Sequence, residues 1–341
     1  MFMQNAWYVA AWGREVGRDL LARRICNLPM VLYRLEDGSA VALADRCCHR
    51  LLPLSHGRLE GDTLVCGYHG LTYDRTGQCV KVPSQERVAP QARVTSYPVV
   101  ERHRFVWVWV GDPALANPAE VPDLHWNDDP AWAGDGDVME VACDYRLLID
   151  NLLDLSHETY VHPTSIGDHR LPSAPIRTSF DGDTVTVSRW VHDHEPAPFW
   201  AGLMRRARDY GGHCDRWQIA RYVRPCSVVI DVGVAETGTG APEGDRSRGI
   251  SAMILNSITP ATDTTCWYFW ANARSFCLDD ASLTNDMKAS ITRIFGEDKV
   301  IVQAQQQAML EAPDYRMINI NLDAGSLRVR RMIEERAAAG A

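Results

Sequence analysis

From residue 30 to about 110 the apolar positions fall in short runs rich in β-branched and aromatic residues (MVLYRL, AVALAD, TLVCGYH, VTSYPVV, RFVWVWV), each closed off by Gly, Pro or Asp. That rhythm predicts a small all-β domain. Between Gly111 and Pro122 three prolines interrupt the pattern and mark a linker, dividing the chain into residues 1–115 and 116–341. Beyond it the periods mix. A helical stretch is expected near 145–162, long strands near 183–192, 217–235, 250–258 and 265–274, and helices near 280–311 and 326–337. The second part therefore reads as α+β with an antiparallel sheet. The Gly-rich, charged segment from Gly233 to Gly249 reads as a mobile loop, and the Ala-rich stretch after 336 as a fraying end.

Composition narrows the class without changing this plan. With 46% hydrophobic and 23% charged residues the chain is an ordinary globular one, and no apolar run approaches the ~18 residues of a membrane span. A net charge of −9 argues against a nucleic-acid-binding face. The 10 cysteines are scattered along the chain, so free thiols and a metal site are expected in place of a disulfide framework. The opening MFMQNAWYVAAWGREVGRDL has no basic segment leading into an apolar one, which makes the cytoplasm the expected location.

The chemistry starts with two short clusters, Cys47-Cys48-His49 and Cys66-Gly67-Tyr68-His69. Each supplies one thiolate and one imidazole. Structural zinc usually takes its cysteines from one pair and its histidines from another. The mixed order suits a [2Fe–2S] cluster with both thiolates on one iron and both imidazoles on the other. In an extended loop Cys47 and His49 point the same way and Cys48 the opposite way, which leaves Cys48 outside the ligand set. Such a centre relays electrons, so substrate chemistry falls to the rest of the chain.

Downstream, Asp150-Asn151-Leu-Leu-Asp154-Leu-Ser-His157-Glu-Thr-Tyr-Val-His162 offers a second site. On a regular helix His157 and His162 would stand roughly 140° apart, so their convergence needs a distorted or ending helix. Two neutral histidines and a distant carboxylate make the facial triad of non-haem Fe(II) oxygenases. A lone histidine pair on a helix is more often surface or satisfied core; the upstream cluster shifts that balance. Asp154, one turn before His157, is placed to accept a hydrogen bond from its non-coordinating N–H. The third ligand falls in Phe295-Gly-Glu297-Asp298, where periodicity leaves Glu297 and Asp298 both open. His192-Asp-His194 is a rival pair without an acidic helix beside it. For the substrate, Asp231 interrupts an apolar strand with Gly233 on the same face leaving room, and Asn256 is a second polar candidate. Both also read as ordinary polar strand residues.

With these motifs the chain resembles the oxygenase components of Rieske non-haem iron oxygenases, and within them the vanillate O-demethylase branch, with dicamba-type O-demethylases as cousins. The likeness covers nearly the whole chain: Asn5-Ala-Trp-Tyr-Val-Ala10, the two Cys/His clusters, Trp107-Val-Trp-Val-Gly-Asp-Pro113, Asp144 through His162, Arg216-Trp-Gln-Ile219, Trp267-Tyr-Phe-Trp270 and Phe295 through Asp298. Ser156 through His162 and Pro198-Phe-Trp200 lean towards the vanillate branch. Cys48 departs from the family's commoner Pro without touching a ligand.

The resemblance implies a helix-grip catalytic domain, Asp298 as third iron ligand, and Asn151 near the iron. It implies a homotrimer in which Asp154 also bonds His69 of the partner subunit, and a separate flavin and iron–sulfur reductase fed by NAD(P)H. The implied reaction hydroxylates an aryl methoxy group, vanillate foremost, to give a phenol and formaldehyde. Three alternatives stand beside it: ring hydroxylation or demethylation of another aromatic acid, a Rieske electron carrier with an added domain, and a zinc-stabilised binding module.

Overall fold

The computed structural model describes residues 2–167 and 170–340, which group into two compact units. The first holds the chain up to Val121 together with Thr259–Asp263 and the chain's end. Its strands are β1 (Ala6–Trp12), β2 (Leu21–Ile25), β3 (Leu28–Arg34), β4 (Ala40–Ala44), β5 (Arg58–Glu60) and β6 (Thr63–Val65). There follow β7 (Thr72–Tyr73), β8 (Cys79–Lys81), β9 (Ser96–Tyr97), β10 (Val99–Arg102) and β11 (Phe105–Val110).

They form three antiparallel sheets, ordered β1-β11-β10, β2-β3-β4-β9 and β5-β6-β7-β8. The run FVWVWV is buried at every position because β11 is a central strand, flanked by β1 and β10. Val31, Tyr33, Leu43, Leu64 and Tyr73 from the other two sheets make one core with Cys47 and Cys66. The cysteines of the two clusters are thus fixed by packing.

The second unit is α+β, as the sequence implies. Its strands are β12 (Gly136–Val141), β13 (Ile176–Asp181), β14 (Thr184–His194), β15 (Cys214–Val223), β16 (Ser227–Glu236), β17 (Gly249–Pro260) and β18 (Cys266–Arg274). One seven-stranded sheet runs β12-β18-β17-β16-β15-β14-β13, a meander whose far edge is closed by the first strand. Helices α1 (Tyr145–Leu153), α2 (Glu158–Val161), α3 (Pro198–Arg208), α4 (Ala281–Glu311) and α5 (Ala324–Ala339) complete the helix-grip arrangement.

Two sequence expectations need correcting. The run 217–235 is not one strand: Arg224-Pro225-Cys226 turns the chain, since proline cannot donate to a ladder, and β15 pairs with β16 across it. The segment 233–249 is not all loop either. Gly233 to Glu236 belong to β16 and Gly249 opens β17. The connection between them is tied down by Arg246, which donates to Asp231 at 2.8 and 3.0 Å and lies 4.3 Å over the Trp217 ring.

The stretch 145–162 is a broken helix. Asp154 caps α1 with extended backbone, its N–H bonded to the Asn151 carbonyl, and α2 starts after His157. Helix α4 buries Leu283, Met287, Ile291, Ile294, Phe295 and Val302, with Asp298 set among them.

Candidate functional site

In the first unit the two Cys/His loops close identically. Leu51 N–H donates to Cys47 O at 3.0 Å and Cys47 N–H to Leu52 O at 2.9 Å; Gly70 N–H donates to Cys66 O at 3.1 Å and Cys66 N–H to Leu71 O at 2.8 Å. Both loops turn through a left-handed residue, Leu51 (φ 59°) and Gly70 (φ 73°). Each loop buries its cysteine and exposes its histidine, and Nδ1 of His49 stands 3.2 Å from Nδ1 of His69. Burial pushes the Cys66 thiol up, with its neighbour Cys47 adding to that effect. A buried sulfur pair beneath an exposed imidazole pair is the donor set of a Rieske cluster, and the residues fit it.

Cys48 does not stand as far apart as an extended loop implies. The Tyr73 hydroxyl lies 3.1 Å from Cys47 Sγ and 3.2 Å from Cys48 Sγ, because the loop is turned, not extended. Burial and both cysteines raise the Tyr73 phenol, which therefore remains a donor towards sulfur.

In the second unit, His157, His162 and Asp298 bring their donor atoms within 4.8 Å of one another. Asp298 Oδ1 is 3.4 Å from His157 Nε2 and 3.2 Å from His162 Nε2. Two donors about 2.1 Å from one ion at right angles stand about 3 Å apart, so the trio fits a single metal. The break after α1 supplies the distortion that lets the two histidines converge.

Both rings are held through Nδ1, leaving Nε2 facing Asp298. His162 Nδ1 donates to Glu297 Oε2 at 2.6 Å, and His157 Nδ1 donates to the Asp154 backbone carbonyl at 2.5 Å. Glu297 thus orients a histidine while Asp298 faces the metal position. Asn151 Nδ2 donates to Asp298 Oδ1 at 3.1 Å. Burial pushes the Asp298 carboxyl up, but hydrogen bonds and charge from the two histidines outweigh it and bring it down to about 2. Burial works to lower both imidazoles, and Asp298, joined at His162 by Glu297, raises them on balance.

One expected contact is made differently. The Asp154 carboxylate does not bond His157; its Oδ1 accepts from Ser156 N–H at 2.8 Å and Ser156 Oγ at 2.5 Å. At a helix C-cap the backbone carbonyl turns towards the next residues, while the side chain closes a local Asx turn. The structure parts the rival His192/His194 pair: His194 is buried with Nδ1 on the Cys214 carbonyl, while His192 is exposed beside Asp215.

The triad opens on a cavity lined mostly by apolar side chains. Its apolar wall is Ile230 and Val232 of β16, Ala252 and Ile254 of β17, and Met287 and Ile291 of α4. Asp231 is therefore on the wrong face. Strand residues alternate, and those pointing into the cavity are its neighbours Ile230 and Val232. Asp231 instead accepts from Trp217 Nε1 at 2.8 Å and from Arg246. Asn256 does not line the cavity: it is wholly buried, donating to Val228 O at 2.9 Å and accepting from Tyr268 OH at 2.8 Å.

Gly233 likewise makes room for Trp217, not for substrate: a Cβ there would lie 2.2 Å from Trp217 Cζ2 and 2.3 Å from Ile250 O. Gly233→Ala is expected to destabilise the catalytic unit by about 2 kcal/mol or more, read as a drop of roughly 4–8 °C in its thermal midpoint. An unchanged midpoint would show that the strand gives way freely.

What sequence reasoning missed is the polar edge of the cavity. Glu158, Arg216 and Gln218 line it, with Arg189 behind them. Alternation along β15 places Arg216 and Gln218 on one face, but their partner Glu158 lies 58 and 60 residues away. Only the fold joins them.

Comparison with known proteins agrees with this geometry. The Rieske [2Fe-2S] domain family model matches residues 6–98, and that of the vanillate O-demethylase oxygenase C-terminal domain matches residues 141–339. The vanillate O-demethylase oxygenase subunit of Pseudomonas sp. (strain HR199 / DSM 7063) is 42% identical, over 99% of this chain and 96% of its own. An iron–sulfur subunit of a toluene-4-sulfonate monooxygenase system of Comamonas testosteroni is 40% identical, over 95% of this chain and 94% of its own. The crystal structure of dicamba monooxygenase bound to 3,6-dichlorosalicylic acid matches with a TM-score of 0.91 at 34% identity, covering 99% of this chain and 98% of that one. With two family models accounting for most of its length and relatives aligned end to end, the chain belongs to the vanillate O-demethylase oxygenase family and carries that family's Rieske [2Fe–2S] cluster and mononuclear non-haem iron.

Proposed function

We propose that the protein is the oxygenase component of an aromatic O-demethylase, acting on a methoxylated aromatic acid of the vanillate type. The observation that carries this reading is the His157–His162–Asp298 trio opening on a cavity with one charged edge and three apolar walls, in a chain 42% identical to a vanillate O-demethylase oxygenase subunit. Cys47, His49, Cys66 and His69 hold the cluster; His157, His162 and Asp298 hold the iron. When bound, these centres supply single electrons and oxygen activation.

The protein's own residues orient and exclude. The Asp154 carbonyl and Glu297 fix the two imidazoles as Nδ1–H tautomers, and the apolar walls keep bulk water from the reacting methyl group. Overall, Ar–OCH3, O2, two electrons and two protons give Ar–OCH2OH and water. That hemiacetal then expels formaldehyde to leave the phenol.

Three further features belong to the same reading. A reductase with flavin and an iron–sulfur centre delivers electrons from NAD(P)H; cysteines scattered along a large chain and such a partner suit the cytoplasm. The working form is a head-to-tail homotrimer. In it the Asp154 carboxylate, half-buried and bonded to Ser156 through Oδ1, also bonds His69 of the partner subunit and so links cluster to iron.

The reaction is tested with purified oxygenase, reductase, NADH and O2 on a panel of methoxybenzoates. The expected result is a catechol from vanillate and about one formaldehyde per O2 consumed. A ring cis-diol without formaldehyde from every member would sink the demethylase reading and favour ring hydroxylation.

A further inference from the structure

Four buried side chains at the cavity's polar edge take no part in holding metal. Glu158 Oε2 accepts from Arg189 Nη2 and Gln218 Nε2, both at 2.6 Å, and Glu158 Oε1 accepts from Arg216 Nη2. Gln218 Oε1 in turn accepts from Arg189 Nε at 3.1 Å and Nη2 at 2.6 Å. Two guanidinium groups therefore share one carboxylate, and the cluster carries one excess positive charge. Burial pushes the Arg189 guanidinium down; Glu158 opposes that, Arg216 adds to it, and Asp154 pulls the other way from further off. An excess charge in a desolvated wall is unfavourable unless something answers it.

The two arginines are not equivalent. Arg189 is committed to Glu158 and Gln218, and it does not line the cavity. Arg216 does line it, at 2% exposure. Its Nη1 donates to the Ile166 carbonyl at 3.1 Å, while its buried Nε has no hydrogen-bond partner among the described residues. A guanidinium that lines a cavity wall while its cluster carries one excess positive charge is suited to an oxyanion.

The surroundings define what kind of oxyanion. In the sheet register Gln218 stands opposite Val232, and Val232 opposite Ala252, so polarity falls away from β15 towards β17 within one row. A flat ring with a single acidic group at one end matches that gradient. Glu158 also follows His157 directly, so the anion site and one metal-facing histidine share a short helix start.

We infer that Arg216, held by Glu158 and backed by Gln218, anchors the acid group of the substrate, a carboxylate or sulfonate on an aromatic ring, and restricts the enzyme to such anions. This rests on the demethylase reading for the identity of the ring, but its own test measures binding alone. Anaerobic protein with both metal centres loaded is titrated calorimetrically with vanillate, with the uncharged vanillamide, and with toluene-4-sulfonate. Wild-type protein is expected to prefer vanillate to the amide by about 100-fold. Arg216→Met should lose about 100-fold in vanillate affinity and stay within about threefold for the amide. Arg216→Lys, which keeps the charge but not the fork, should fall between.

Equal losses for acid and amide, or no loss for either acid, would overturn the anchor. Loss confined to toluene-4-sulfonate would keep it and name a sulfonate as its ligand. Should Arg216→Met fail to fold, Glu158→Gln raises the excess charge from one to two. It should tighten vanillate by about threefold or more without helping the amide, and weaker binding of both would overturn the inference. Protein that binds vanillate in this charge-dependent way but releases no formaldehyde sinks the demethylase reading and leaves the anchor standing.

Discussion

Asp298→Ala is expected to strip the mononuclear iron and bring turnover below about 0.1% of wild type, while the cluster keeps its visible spectrum. The carboxylate is where three contacts meet: both histidine Nε2 atoms and the Asn151 amide converge on the same Oδ1. Held down to about 2, it is charged at any working pH and presents a hard oxygen between two nitrogen donors. Alanine removes the charge and the ligand together. Glu297→Gln separates orientation from ligation, because an amide oxygen can still accept from His162 Nδ1 while the negative charge is gone. That variant should bind iron about 10–100-fold more weakly yet still turn over when iron is supplied. Iron analysis beside the visible spectrum decides the matter. If Glu297→Ala empties the site and Asp298→Ala does not, the assignment is off by one.

The second large effect is expected at Asp154. Asp154→Asn should keep both metal centres and a reducible cluster but lose nearly all product formation. Asparagine preserves the local structure, since its Oδ1 can accept from Ser156 N–H and Oγ as the carboxylate does. The contact to His157 runs through the backbone carbonyl and is untouched by the side chain. Only the negative charge is lost, and with it the proposed bridge to His69 of the partner subunit. Alanine is the less telling change, because it also removes the Ser156 turn and so disturbs the chain just before His157. The measurement is single-turnover oxidation of the pre-reduced cluster by O2 with substrate bound. Cluster oxidation at the wild-type rate in Asp154→Asn would refute the bridge and leave Asp154 as a capping residue.

Much of this was legible in the chain, and the failures share a physical cause. Short β runs and one long helical pattern gave the order of elements, because alternation and helical period are local properties. Cys47, His49, Cys66 and His69 stand out in the chain for the same reason, since they lie in two compact loops, and the structure brings them together. The choice of Asp298 over Glu297 comes from the resemblance and not from the segment Phe295–Asp298 itself, but the observed burial of the helix favours it too. The buried positions Leu283, Met287, Ile291, Ile294 and Val302 recur every three or four residues, and Asp298 falls on that stripe where Glu297 does not. A carboxylate on the buried face of a helix has to be answered by something, and the observed burial, more than the period alone, separates the two.

The substrate residues were misread through parity. Asp231 was correctly recognised as unusual in an apolar strand, but which face of β16 bounds the cavity is a property of the sheet and of α4 behind it. A step of one residue moves a side chain to the opposite face. The Arg216 cluster was illegible for a different reason. Its members come from α2, β14 and β15, and no local period links Glu158 to Arg189 or Gln218.

The positions of the ligands along the chain also set an order of maturation. The four cluster residues lie between Cys47 and His69, whereas the iron trio is incomplete until Asp298 has been made and α4 has docked beside α1. On a ribosome the two Cys/His loops emerge well over two hundred residues before the residues of the second centre are all present. An iron held by this trio would act as a clasp on a nearly finished domain, joining segments far apart in the chain, and a chain lacking α4 lacks the Asp298 carboxylate that completes the trio.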